Sequence, residues 1–227
     1  MAGIKKMDRE LHEVLTRIGS IPTVIPAHRK AFKEGYSFSS ASFEEQLPLW
    51  DGVWKRSNNF RAQLHAYFFL EQYVGKTYLH PLIWATSAAW QDDVADWPLC
   101  DALAKINTKV LETQATDVYK QLGSWNNDAD RWKRRQSVVS LLYYSRTKKV
   151  YLPFKKIKAL VEPLLTDNEY YVQKGVGWTL RELNTVYPAD TLPFLQRNIK
   201  NIDPIAFTIA IEKMPSGVKD TLKSKRR

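Results

Sequence analysis

The chain has 227 residues, 44% of them hydrophobic, and 34 Lys/Arg against 24 Asp/Glu, a formal charge of +10. That length suits one large domain or one short repeat array. No apolar run approaches the ~20 residues of a membrane span, and no signal-peptide core follows the opening Met-Ala-Gly-Ile-Lys-Lys. Residues 1–20 predict a short amphipathic helix with Leu11, Val14, Leu15 and Ile18 on one side. Residues 21–41 hold Pro22, Pro26, Gly35 and several serines, which predicts a loop or a broken helix. From Phe43 to Val74 the pattern is helical, with breaks expected at Asp51-Gly52 and at Ser57-Asn58-Asn59 and a left-handed stop at Gly75. A short helix follows over 79–90, and another opens at Pro98. Residues 117–122 lead to Gly123-Ser124 and an acidic, Asn-rich turn. A long helix is predicted from about Ala129 to Arg146, then others at 153–165, 168–186, 189–199 and 203–213, with a frayed tail from Lys219. No strand alternation is evident, so the fold class is all-α.

One cysteine, Cys100, rules out an internal disulfide framework and a Cys-based zinc site. The histidines, His12, His28, His65 and His80, show no metal-ligand spacing. A reducing cytoplasm is the expected setting. The charge is uneven. Residues 1–80 hold 11 basic and 8 acidic side chains (net +3), residues 81–130 hold 3 and 8 (net −5), and residues 131–227 hold 20 and 8 (net +12). A basic half of this density points to a polyanion, most simply nucleic acid, against the alternative of a solvated basic surface.

Arg131-Trp132-Lys133-Arg134-Arg135-Gln136-Ser137-Val138-Val139 aligns with Tyr170-Tyr171-Val172-Gln173-Lys174-Gly175-Val176-Gly177-Trp178 at an offset of 39 residues. That is close to the period of HEAT and armadillo helix pairs, which stack into a solenoid with a concave face. The opening Phe60-Arg61-Ala62 is a weaker third copy. The expected organisation is one HEAT-like domain over 1–227, with 1–42 a helical extension and 216–227 a basic tail.

Chemistry is expected at Asp96-Trp97-Pro98-Leu99-Cys100-Asp101. Pro98 suits a first helical turn, and Leu99, Leu103, Ile106 and Val110 form the inward stripe. At roughly 100° per residue, Asp101 and Trp97 each lie about 160° from that stripe on opposite sides, so both are expected to face outward. An outward indole beside a carboxylate suits a bound cation. The alternative makes Asp101 an N-terminal helix charge and packs Trp97 on a neighbouring helix. In the helix from Asn168 to Tyr187, Trp178 falls opposite the apolar stripe, near Tyr171, Lys174 and Arg181. Gly175 and Gly177 beside it admit close approach by another backbone, either a DNA strand or a crossing helix. Arg135 lies on the apolar side of its helix and must be paired, as a bridge to a carboxylate of the next repeat or as a phosphate clamp at the helix mouth.

Together, Trp97-x-x-x-Asp101, Trp132-Lys133-Arg134-Arg135 and Val172-Gln173-Lys174-Gly175-Val176-Gly177-Trp178-Thr179-Leu180-Arg181-Glu182 resemble the AlkD-like DNA alkylation repair glycosylases over roughly residues 45–215. The resemblance implies a right-handed solenoid of HEAT-like antiparallel helix pairs, its concave basic face cupping duplex DNA. It implies a monomeric glycosylase that removes N3- or N7-alkylated purines, without metal or cofactor, without a membrane and without necessarily extruding the base. By that match Asp101 is the catalytic carboxylate, Trp97 and Trp178 contact the lesion, and Arg135 contacts the lesion strand. Lys133, Arg134, Lys174 and Arg181 are further DNA-binding candidates. Asp96 and Pro98 stand where the family commonly has a second Trp and an extra Asp. Two other readings remain: a non-catalytic HEAT-like protein that binds unusual DNA structures, and a solenoid for an acidic protein partner.

Overall fold

The computed structural model describes residues 2–227, with side chains from residue 7 onward. The described residues form thirteen α-helices joined by short 3-10 turns and loops, and contain no strand. None of these helices is long and apolar enough to cross a membrane. The chain divides into two compact units, residues 1–94 and 95–227.

The first unit contains α1 (Ala2–Gly19), α2 (Ile25–Glu34), α3 (Phe43–Ser57), α4 (Phe60–Tyr73) and α5 (His80–Trp90). Residues 21–41 are therefore partly helical, because Pro26 falls in the first turn of α2, where its missing N–H costs nothing. Ser42 and Glu45 close a reciprocal capping box at the start of α3, and Asn58 ends that helix in the left-handed region (φ 42°). Asp51-Gly52 does not interrupt α3. Asp51 accepts a bond from the Trp90 indole at 2.9 Å, and the missing Cβ of Gly52 makes room for Met7. Trp54 and Trp90 stack with centroids 4.5 Å apart. Helix α4 is buried on every side from Ala62 to Leu70. It ends before Gly75, which is not left-handed; Gly35, at φ 85°, is the only glycine of positive φ among the described residues.

The second unit contains α6 (Trp97–Val110), α7 (Ala115–Trp125), α8 (Arg131–Leu142), α9 (Phe154–Val161), α10 (Tyr170–Val186), α11 (Pro188–Arg197), α12 (Pro204–Ala210) and α13 (Ser216–Arg226). Its even-numbered helices form one row: α8 packs between α6 and α10, and α10 between α8 and α12. The two aligned segments are thus the openings of α8 and α10, neighbours in that row. Asp96, Asp130 and Asp203 each cap an even helix by accepting a backbone N–H of its first turn.

Three expectations for this unit change. Gly123 and Ser124 lie inside α7, and the turn comes at Asn126, whose amide bonds Ser137 and the Leu160 carbonyl. The 129–146 helix closes at Leu142. The tail from Lys219 is helical: Leu222 is buried, and Arg226 donates to the carbonyls of Ile199 and Ile202.

Candidate active site

The row of even helices brings several side chains of the sequence motifs to one place. The Asp96 cap starts α6 and puts Asp101 in its second turn, where α8 packs against it. From α8, Arg135 forks onto that carboxylate, with Nη2 2.8 Å from Oδ1 and 3.1 Å from Oδ2, and Nε 3.1 Å from Oδ1. Its Nη1 donates to the Tyr171 carbonyl at the opening of α10, at 2.6 Å. One guanidinium thus ties three successive even helices together.

Asp101 is 7% exposed and Arg135 3%. The expectation that Asp101 faces outward is corrected. A stripe on one helix predicts exposure only when the opposite face is bare, and α6 is buried almost all round by the stack. Burial raises the Asp101 carboxyl, while Arg135 and then Lys174 pull it down. A carboxylate has about four lone-pair positions, and the fork fills three, so Oδ2 keeps one acceptor position.

Trp97, 49% exposed, stands at the mouth of a cavity of about 290 Å³ that Asp101 and Arg135 also line. Trp178, half-buried, lies on the same cavity. Its ring meets Tyr143 and Tyr144 at 5.2 and 5.5 Å between centroids, and the Arg181 guanidinium lies 5.7 Å from its ring centre. Its indole N–H is buried and has no hydrogen-bond partner among the described residues. Lys174 and Arg181 supply two more cations, and Arg181 is held by Glu212. The cavity therefore carries Arg135, Lys174 and Arg181 against Asp101 and Glu212, a net of one positive charge.

Lys133 and Arg134 do not line it. Lys133 pairs with Asp128 at 3.6 Å. Arg134 pairs with Asp167 at 2.7 Å and donates to the Asp128 and Ala129 carbonyls, fastening the opening of α8 to the turn before α10. The glycines serve helix crossing. A Cβ at Gly177 would sit 2.7 Å from the Ala206 carbonyl oxygen of α12, and one at Gly175 would crowd Arg135 and Val139. Tyr143, Tyr144, Ile209 and Glu212 were not singled out in the sequence. Ile209 and Glu212 lie outside the aligned motifs, and nothing in their spacing marks them.

The sequence profile of the DNA alkylation repair enzyme family matches residues 20–214. The chain belongs to this family. No curated protein sequence matches it. Among solved structures, a predicted DNA alkylation repair enzyme from Enterococcus faecalis superposes with a TM-score of 0.67 at 18% identity, over 86% of this chain and 87% of that one. AlkD2 from Streptococcus mutans superposes with a TM-score of 0.60 at 14% identity, over 97% of each chain. At these identities the likeness shows a shared all-helical fold. The placement among DNA alkylation repair enzymes rests on the family profile.

Proposed function

We propose that the protein is a DNA glycosylase that hydrolyses the N-glycosidic bond of positively charged N3- or N7-alkylated purines in duplex DNA. The carrying observation is that a buried carboxylate and two indoles, Asp101, Trp97 and Trp178, line one open cavity together with three cations. As the C1′–N bond breaks, its electron pair stays with the alkylated base and neutralises it. The sugar becomes oxocarbenium-like, water adds at C1′ and loses its proton, and the products are free base and an abasic site.

Asp101 faces the developing positive charge with the acceptor position that Arg135 leaves open, and the fork holds it in orientation. The faces of Trp97 and Trp178 stabilise the cationic nucleotide by about 1–2 kcal/mol each. Lys174 and Arg181 meet flanking phosphates, and Lys133 and Arg134, paired with Asp128 and Asp167, hold the opening of α8 in place. Incubating the protein with methylated duplex DNA and separating released bases by chromatography tests this. Release is expected, with a loss of about 100-fold or more in Asp101→Asn. Undiminished release by that variant removes the catalytic role.

One observation favours a second reading, a non-catalytic binder of unusual DNA structures: the Arg135 fork neutralises Asp101. That reading predicts tight, salt-sensitive DNA binding with no base released.

A further inference from the structure

A second cavity, of about 460 Å³, lies wholly within the first unit, between α2, the turn after it, and α3 and α4. One wall is an immobilised guanidinium. Arg29 lies over the Phe68 ring, 4.4 Å from its centre, and forks onto Glu71, which also accepts the Tyr67 hydroxyl at 2.6 Å. One face of the Arg29 plane is thus covered by an aromatic ring and its edge is held by a carboxylate. The side chain nevertheless remains 41% exposed and lines the cavity, so its other face is open.

Gln46 is 4% exposed, and its amide nitrogen is spent on the carbonyls of Ala41 and Ser39 at 2.7 and 3.4 Å. Its Oε1 has no protein donor among the described residues, so an acceptor open to solvent is left where Gln46 lines the cavity. Lys33, one turn after Arg29 on the same helix, brings an ammonium to which no described carboxylate is paired.

Each feature selects a part of a ligand. A fixed guanidinium plane backed by a ring is a stacking platform for a flat heteroaromatic ring. An open, fixed acceptor without a protein donor is suited to an N–H on that ring. An unpaired ammonium beside them calls for an anion. We propose that this cavity binds a nucleotide whose base carries an exocyclic amine, as adenine does. The ring stacks on Arg29, the amine donates to Gln46 Oε1 and the phosphate lies at Lys33. The same unit could come from free mononucleotide or from a single-stranded stretch of nucleic acid. The site is separate from the Asp101 cavity and does not depend on the glycosylase reading.

Titration calorimetry on the full chain with AMP, UMP, inorganic phosphate, pentadeoxyadenylate and pentathymidylate tests it. AMP is expected to bind at least five-fold more tightly than UMP and phosphate. Lys33→Glu and Arg29→Lys are each expected to weaken AMP ten-fold or more, while Trp97→Ala leaves it unchanged. If pentadeoxyadenylate binds where AMP does not, is preferred over pentathymidylate and depends on Lys33, the site takes a strand; tighter AMP makes it a mononucleotide site. Absence of all binding at millimolar ligand, equal affinity for AMP and UMP without preference between the two oligomers, or insensitivity to Lys33→Glu overturns the proposal. Should Arg29→Lys disturb folding, the exposed Lys33 and the base preference still decide it. Release of alkylated base is expected to persist in Lys33→Glu, which separates this site from the first.

Discussion

Gly175 is the space that Arg135 occupies: a Cβ there would lie 3.2 Å from Arg135 Cγ, 3.3 Å from its Nη1 and 3.1 Å from Val139 Cγ2. Gly175→Ala gains about 1 kcal/mol of helix propensity, which offsets the crowding. Stability is therefore expected to stay within about 1 kcal/mol of the parent. The Arg135 fork must shift by a few tenths of an ångström, and Asp101 with it. Base release should then fall about ten-fold, because catalytic geometry tolerates displacement poorly. Melting curves and single-turnover base release check the two halves separately.

Gly177→Ala should behave oppositely. Its Cβ would meet the backbone of α12, with the Ala206 oxygen at 2.7 Å and Cα at 2.9 Å, and backbone cannot rotate away. A loss of about 2–3 kcal/mol is expected in urea unfolding, beyond any propensity gain.

Removing Arg135 leaves the Asp101 carboxylate buried and alone. Arg135→Gln is expected to cost about 3–5 kcal/mol by denaturant unfolding. Arg135→Lys should recover only part of that, since an ammonium cannot reproduce the fork onto Asp101 while also reaching the Tyr171 carbonyl. Full recovery by lysine would show that charge alone, and not the planar fork, holds the pair.

The two indoles should separate stability from activity. Trp97 is half exposed, so Trp97→Ala should leave the melting temperature nearly unchanged while lowering base release. Trp178 packs against Tyr143 and Tyr144, so Trp178→Ala should lose both activity and about 2–3 kcal/mol.

Acid should loosen the first unit. His28 Nδ1 lies 3.0 Å from His65 Nε2, and the Tyr36 hydroxyl is 2.6 Å from His65 Nδ1, all of it buried. Burial lowers both histidines, His65 to about 3; the charge of Arg61 adds to this for His28, and that of His28 and then Arg17 for His65. The unfolded chain, with histidines near 6.5, binds protons that the folded chain refuses. Stability is therefore full above about pH 6.5 and falls as pH drops toward 3, by roughly 1.4 kcal/mol per pH unit for each histidine within its own window. Urea unfolding at pH 7 and pH 5 checks this; equal stability at the two values contradicts it.

The amino-acid order by itself determined the all-helical class, most helix positions and the kinship of α8 and α10. These follow from local periodicity, caps and prolines, and a repeat shows in its own offset. The motifs also marked Trp97, Asp101, Arg135 and Trp178. The tertiary structure alone decided that Asp101 is buried rather than outward, that Arg135 is its partner, and that Arg134 fastens helices outside the cavity. It also brought in Glu212 and Ile209 from beyond the motifs and set both glycines against neighbouring helices. The reason is physical. A helical wheel reports angles about one axis, whereas burial and pairing in a stack depend on helices some 35–40 residues apart, whose contacts no local pattern records.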